Sequence, residues 1–448
     1  MPTGADNGSM AGSSKRVVKS FDATSMVAGN MIGSSVFLLS GYAAAPVLDG
    51  VWLISAWIIG GIMATLGALA IAELSTEFPE IGGDFLYLKK VYGTYPAFLY
   101  GWMSLMIFET GSIAILAVFG GKYLKEFIPG TSLSEPALSS ILVIIFSGLH
   151  CLRITIGSRF QSILTVAKIG GLILLSFILF TKTSTAELLV APITPVDRPL
   201  IGLSRALIPI FFAYTGWNVA GYIAGEIHNP RKTLPVALIG GTVLVTIIYV
   251  IVQFGFLQAI GIEGMRDEAM VPLKALEAVG AEGWSIYLTI LIFVSVVSSL
   301  SITIQTAGAR VIQAMGDHEV FFRFTAKRHP QFNTPVNALI VQAAWCIVML
   351  YAFKSIGDLV DTTSVVMILF SALSISTMLK IGRGEGSEKR YRTPLFPLVP
   401  VVYIICALFV SWGVIQFHLS QDSALPAWGL GFLILGTVIY HIWIRLKN

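Results

Sequence analysis

Residues 27 to 40 read VAGNMIGSSVFLLS and lie inside the first long apolar run of the chain. Gly29, Asn30, Gly33, Ser34 and Ser35 weaken a helix here, since each glycine costs ~1 kcal/mol relative to alanine in a helix interior. The expectation is a helix that breaks at mid-membrane. In hydrocarbon, non-helical backbone survives only where it lines a cavity or is buried in protein, because unpaired N–H and C=O groups are costly there. Broken in this way, Met31, Ile32, Gly33, Ser34 and Ser35 become candidate substrate-binding positions. The N–H groups of Gly33 to Ser35 open the second half-helix with the positive end of its dipole behind them, an arrangement that suits a carboxylate. The stretch also admits a plainer reading, a close helix crossing through Gly29 and Gly33.

The composition decides the solvent. Hydrophobic residues make up 55% and charged residues 12% of 448 positions, with a mean hydropathy of +0.80, whereas soluble domains carry about 25% charged residues. The chain reads as an all-α integral membrane protein. Apolar runs near or above the roughly 20 residues that span a bilayer fall at 21–45, 51–75, 95–121, 137–152, 155–181, 201–225, 235–260, 284–312, 336–353, 357–380, 395–418 and 425–444, twelve in all. The polar residues before them form an N-terminal tail, 1–20; the first run is too long for a signal peptide and lacks its cleavage site. Lys and Arg concentrate in the loops on the N-terminal side, which places both termini in the cytoplasm and the chain in the cell inner (plasma) membrane. That asymmetry accounts for the net charge of +4 and gives no reason to expect nucleic acid. None of Cys151, Cys346 and Cys406 falls in an external loop, so no disulfide is expected, within the chain or to a partner subunit.

A second interruption lies in the sixth run, LIPIFFAYTGWNVAGYIAGEIHNPRKTLP, where Pro209, Gly216, Gly221 and Gly225 oppose an unbroken helix. Two interrupted spans five positions apart, first and sixth, are the pattern of an inverted-repeat transporter. This pairing divides the chain into a first five-helix repeat at 21–181, a second at 200–381 and two scaffold helices within 395–448. Carbonyls around Phe212 to Thr215 would accept from an ammonium while the exposed N–H groups of span 1 hold a carboxylate. Together they describe the zwitterionic end of an amino acid.

Two charges fall inside spans. Glu109 in span 3 must face the interior or be protonated; it reads as a proton acceptor or as a protonated cap on a neighbouring carbonyl. Lys168 in span 5 reads either as a lysine snorkelling to the interface or as a fixed ammonium in place of a bound Na⁺, tying carbonyls and hydroxyls of neighbouring helices. Span 8 is rich in hydroxyls, and Ser298 or Ser299 could hold that ammonium, although such groups commonly bond within their own helix. The connection after span 2, ending in PEIGGDFLYLKKVYG, is punctuated by Pro79, Gly82 and Gly83, and its charges read as solvated. There is no metal-ligand spacing, no nucleotide-binding motif and no nucleophile motif. The chain is therefore not expected to be an enzyme or to carry a cofactor, and any transport would be secondary.

These residues resemble the amino acid/polyamine/organocation transporter superfamily. GNMIGSSVF is similar to its G-S-G loop in helix 1, and FFAYTGWNVAGYIAGEIHNPRKTLPVAL to the signature of the L-type amino acid transporter branch. Lys168 matches a lysine of sodium-independent bacterial members, and Glu109 the helix 3 glutamate of the cationic-transporter-like bacterial branch. The resemblance implies twelve helices in a five-plus-five inverted repeat (LeuT-like) with discontinuous helices 1 and 6, and alternating access. It implies that Ser34 and Ser35 amides bind the substrate carboxylate and that Phe212, Ala213 and Thr215 carbonyls bind the amine. The Phe212 ring would close over the substrate, with Asn218 near its side chain. Ser35, Thr215 and Gly225 depart from the family pattern; the first two add bulk and point to small substrates. Light chains of this branch join a heavy subunit through an external cysteine, which the loop after span 3 lacks, so a transporter without a heavy chain is expected. The expected activity is sodium-independent transport of neutral, small L-amino acids, by exchange or with a proton. Transport of cationic amino acids or polyamines using Glu109 is the alternative, and a membrane sensor or channel is the rival of another class.

Overall fold

The computed structural model describes residues 18–447 apart from Ser34, Leu48, Pro129, 153–156, 183–198, Asp267, Ala269, Asn333, Lys354, Ser355, 382–390 and 422–424. Most of the N-terminal tail and the Ser34 amide therefore lie outside the described residues. The order is α1 (Ser20–Met31), α2 (Ser35–Leu38), α3 (Ser40–Ala44), α4 (Gly50–Glu77), α5 (Asp84–Tyr92), α6 (Thr94–Met103), α7 (Glu109–Phe127), α8 (Glu135–Leu152), α9 (Gly157–Lys182) and α10 (Pro199–Ala213). It continues with α11 (Val219–Tyr222), α12 (Pro230–Pro235), α13 (Gly241–Met265), α14 (Val271–Ala278), α15 (Ser285–Thr303), α16 (Ala309–Asp317), α17 (Val336–Ala352), α18 (Ile356–Lys380), α19 (Leu398–Ser420) and α20 (Leu425–Lys447). Single π turns join α6 to α7, α12 to α13 and α15 to α16. Strand pairing among the described residues is confined to two isolated bridges.

Nine helical runs among the described residues are long and apolar enough to cross a membrane, and Leu200–Ala213 and Val336–Ala352 are apolar but shorter. The difference from twelve apolar runs has a physical source. The first run is cut into α1, α2 and α3, the sixth stops at Ala213, and the ninth has 17 residues.

Large apolar side chains are turned outward on several helices, including Ile62, Ile144, Leu149, Ile173, Phe177 and Ile247, as a lipid solvent requires. Small residues set the interior. On α4, a side chain at Gly60 would meet Ile210 at 2.5 Å and one at Gly61 would meet Thr246 at 2.2 Å, so α4 lies hard against both α10 and α13 in the small-residue manner of membrane helices. Asp49 caps α4, its Oδ1 accepting from the Trp52 N–H at 2.8 Å, which satisfies one of the orphan donors of a helix start. The pieces of the first run are enclosed by these longer helices: α1 packs against α9, α13 and α15, and α2 against α10.

Candidate functional site

The first break follows from residues that do not continue the ladder. α1 ends at Met31, Ile32 has ψ 73°, and the Gly33 N–H turns back to Met31 O at 2.7 Å. In a continuous helix that N–H would have served Gly29 O. Lys168, on α9 and 1% exposed, supplies what is lost: its Nζ donates to Gly29 O at 3.0 Å, Ile32 O at 3.0 Å and Ser299 Oγ at 3.3 Å. A lysine head has three donors, and all are used. Ser295 Oγ adds a bond to Ile32 O at 3.2 Å. Ser298 is buried on the same helix as Ser299, but Ser299 is the one that lines the cavity described below.

The second break sits opposite. α10 ends at Ala213, residues 214–218 form turns, and α11 resumes at Val219. Gly216 has φ +98°, and a side chain there would lie 2.5 Å from Asn30 Nδ2 on α1, so both the backbone conformation and the approach of the first break require glycine. Phe212 O accepts from the Thr215 N–H at 3.0 Å and from Thr215 Oγ1 at 2.7 Å. Tyr249 of α13 joins the breaks: its hydroxyl lies within hydrogen-bonding reach of Met31 O and, at 3.3 Å, of Ala213 O. Sequence reading passed over Tyr249, which stands as one tyrosine in an apolar run with nothing to single it out.

A cavity of about 70 Å³ lies between the breaks. Met31, Gly33 and Ser35 line it from the first broken run, Phe212, Thr215 and Asn218 from the second, with Glu109, Ser299 and Thr303 beside them. Ile32, Ala213 and Lys168 are not among its lining residues; the carbonyls of the first two and the Lys168 ammonium belong to the bracing network. The π turn at Ser104–Phe108 immediately precedes Glu109, and such bulges re-aim the residues that follow. Glu109 is 8% exposed and its carboxyl makes no hydrogen bond among the described residues.

Asp84 corrects the sequence reading of its connection as solvated. It is 3% exposed and lines the same cavity. Gly82 and Gly83, at φ +130° and +50°, turn the chain so that α5 starts at Asp84 beneath α6 and α18. Its Oδ2 accepts from Tyr222 OH at 2.7 Å, Asn218 Nδ2 at 3.2 Å and Tyr100 OH at 3.4 Å, and its Oδ1 accepts from Ser374 Oγ. Burial raises its carboxyl above the ordinary value of 3.8, and the four donors pull it part of the way back. No lysine or arginine lines the cavity among the described residues.

On the side of the N-terminus, backbone hydrogen bonds tie the residues around α11 to the start of the described chain and to the turn before α5. The Val18 N–H donates to Glu226 O at 3.1 Å, the His228 N–H to Val18 O at 2.8 Å and the Gly82 N–H to Tyr222 O at 3.2 Å. Behind them Arg310, whose side chain is 5% exposed, pairs with Glu226 at 3.0 Å.

The family model described as amino acid permease matches residues 19–439. The serine/threonine exchanger SteT of Bacillus subtilis is 29% identical over 87% of this chain and 88% of its own. The b(0,+)-type amino acid transporter 1 of Mus musculus is 26% identical over 94% and 86%. The large neutral amino acids transporter small subunit 2 of Mus musculus is 25% identical over 97% and 82%.

Proposed function

Because the chain belongs to the amino acid permease family, we propose that it is a sodium-independent secondary transporter of small neutral L-amino acids, working by alternating access. It crosses the plasma membrane twelve times in the five-plus-five arrangement, with both termini in the cytoplasm and without a disulfide-linked heavy chain. The observation that carries this reading is that both interrupted crossings open onto one cavity. The substrate carboxylate takes the amides of Gly33 to Ser35, the ammonium takes the carbonyls of the second break, and the Phe212 ring closes over them. Lys168 holds the first break in the position a bound sodium would otherwise organise.

The bulk that Ser35 and Thr215 add beside the cavity supports a small substrate. Exchange fits a Lys168 that stays charged, and the exchanger activity in the name of the Bacillus subtilis relative favours it over proton symport.

A second reading has its own observation. Glu109 and Asp84 put two carboxyl groups beside the cavity, with no lysine or arginine among the described residues that line it, which favours a cationic amino acid or a polyamine.

Uptake of labelled alanine into proteoliposomes tests both. Expected are uptake stimulated by trans-loaded alanine, indifference to sodium and weak competition by arginine and putrescine. Competition by arginine below the alanine KM selects the second reading. Channel-like flux without trans-stimulation rejects the transporter.

A further inference from the structure

The inner end of the cavity has a hydrogen-bonding polarity, and Asp84 is what gives it one. An asparagine amide can lie either way up, with its oxygen or its nitrogen toward a neighbour. At Asn218 the choice is forced: Nδ2 donates to Asp84 Oδ2 at 3.2 Å and to Tyr222 OH at 3.2 Å, and an amide oxygen in that place would face a carboxylate oxygen. Both amide protons are thereby used, leaving Oδ1, which accepts no hydrogen bond among the described residues. Asn218 lines the cavity. The Glu109 carboxyl, nine-tenths buried, the Asn30 amide nitrogen and the Ser35 hydroxyl also line it without a hydrogen bond among the described residues. Tyr222 and Tyr100 do not compete for a ligand, because their hydroxyls bond each other at 2.8 Å and Asp84.

We propose that Asp84 is a specificity-determining positioning residue: by fixing the Asn218 amide with its oxygen inward, it makes the transporter select small amino acids whose side chain donates a hydrogen bond, serine and threonine, over their apolar isosteres. The inference rests on the small-substrate reading above and names the substrate class within it. The carboxylate touches no substrate; it acts through Asn218. A buried acceptor left without a donor is the penalty that an apolar side chain incurs, and a site built to bond a hydroxyl rejects the analogue that lacks one far better than an apolar pocket rejects the reverse. Threonine against valine, and serine against 2-aminobutyrate, hold shape constant and vary only that donor.

The experiment measures KM for these four amino acids in proteoliposomes of the full chain. In the native protein the KM for threonine is expected about tenfold below that for valine, and serine likewise against 2-aminobutyrate. In Asp84→Asn an amide faces an amide, either orientation of Asn218 is satisfied, and the ratio is expected to fall to within about twofold of unity. A merely structural role for Asp84 would weaken both members of each pair and leave the ratio where it was, and that result overturns the proposal. Asn218→Leu removes the acceptor itself and must give the same collapse, so the test stands if Asp84→Asn fails to fold. Uptake of all four with no preference in the native protein overturns this inference alone; absence of uptake of any of them overturns the small-substrate reading with it.

Discussion

Lys168 and Asp84 are the two charged side chains buried deepest around the cavity, and they are satisfied in opposite ways. The lysine has three donors and spends them on one broken helix and the serine behind it. The aspartate has only acceptors and gathers side chains from α6, α11 and α18, together with the asparagine that precedes α11. One repairs backbone that a break has orphaned; the other organises side chains that line the cavity. Their removal should therefore fail differently, the first as a loss of the site and the second as a loss of discrimination.

The largest effect is expected from Lys168→Ala. It takes the ammonium from the carbonyls of Gly29 and Ile32, which keep only Ser299 Oγ at 3.4 Å and Ser295 Oγ at 3.2 Å, and each hydrogen bond to a charged group is worth ~1.5–3 kcal/mol. Uptake should fall at least tenfold, with a lower melting temperature in detergent; full uptake would show that the first break holds itself. Gly216→Ala comes next. It combines a backbone conformation costing ~1–2 kcal/mol for a residue with a side chain with a clash against Asn30 at 2.5 Å, and should reduce uptake several-fold at unchanged surface expression. Tyr249→Phe removes the hydroxyl between Met31 O and Ala213 O. A single net hydrogen bond is worth ~0.5–1.5 kcal/mol, so the KM for alanine should rise between twofold and tenfold with little loss of turnover. A KM that does not move would separate the two breaks mechanically and leave Lys168 as the main brace.

How much of this was legible depends on where each signal lives. The breaks were readable because their cause is local: Gly29, Gly33, Pro209 and Gly216 lack the helix propensity that the residues around them have. Lys168 was readable because one ammonium in an apolar run has to be explained. Asp84 was not, because it sits in a connection with Glu73, Glu77, Glu80, Lys89 and Lys90, where a charge is ordinary. Its burial comes from the docking of α5 under α18, a tertiary event with no periodic trace. The two glycines before it were the available hint, since paired positive-φ residues place the next side chain abruptly. Tyr249 is the same case in an apolar run: its hydroxyl acquires meaning only once both breaks lie beside it.

The smallest effect is also the sharpest test of the contrast. Burial raises the Asp84 carboxyl above 3.8 in the fold, outweighing its four donors, so the folded state holds that proton more tightly than the unfolded chain. Stability from this group is then present at low pH and lost as pH rises from about 3.8 through the folded-state value, after which it is flat. Asp84→Asn removes the ionisation and the loss with it. In detergent, melting temperatures of the native protein and Asp84→Asn should agree near pH 4, and at pH 7 the variant should melt at or slightly above the native protein. If the native protein is the more stable at pH 7, the four donors outweigh the burial, and Asp84 belongs with Lys168 as a brace of the fold.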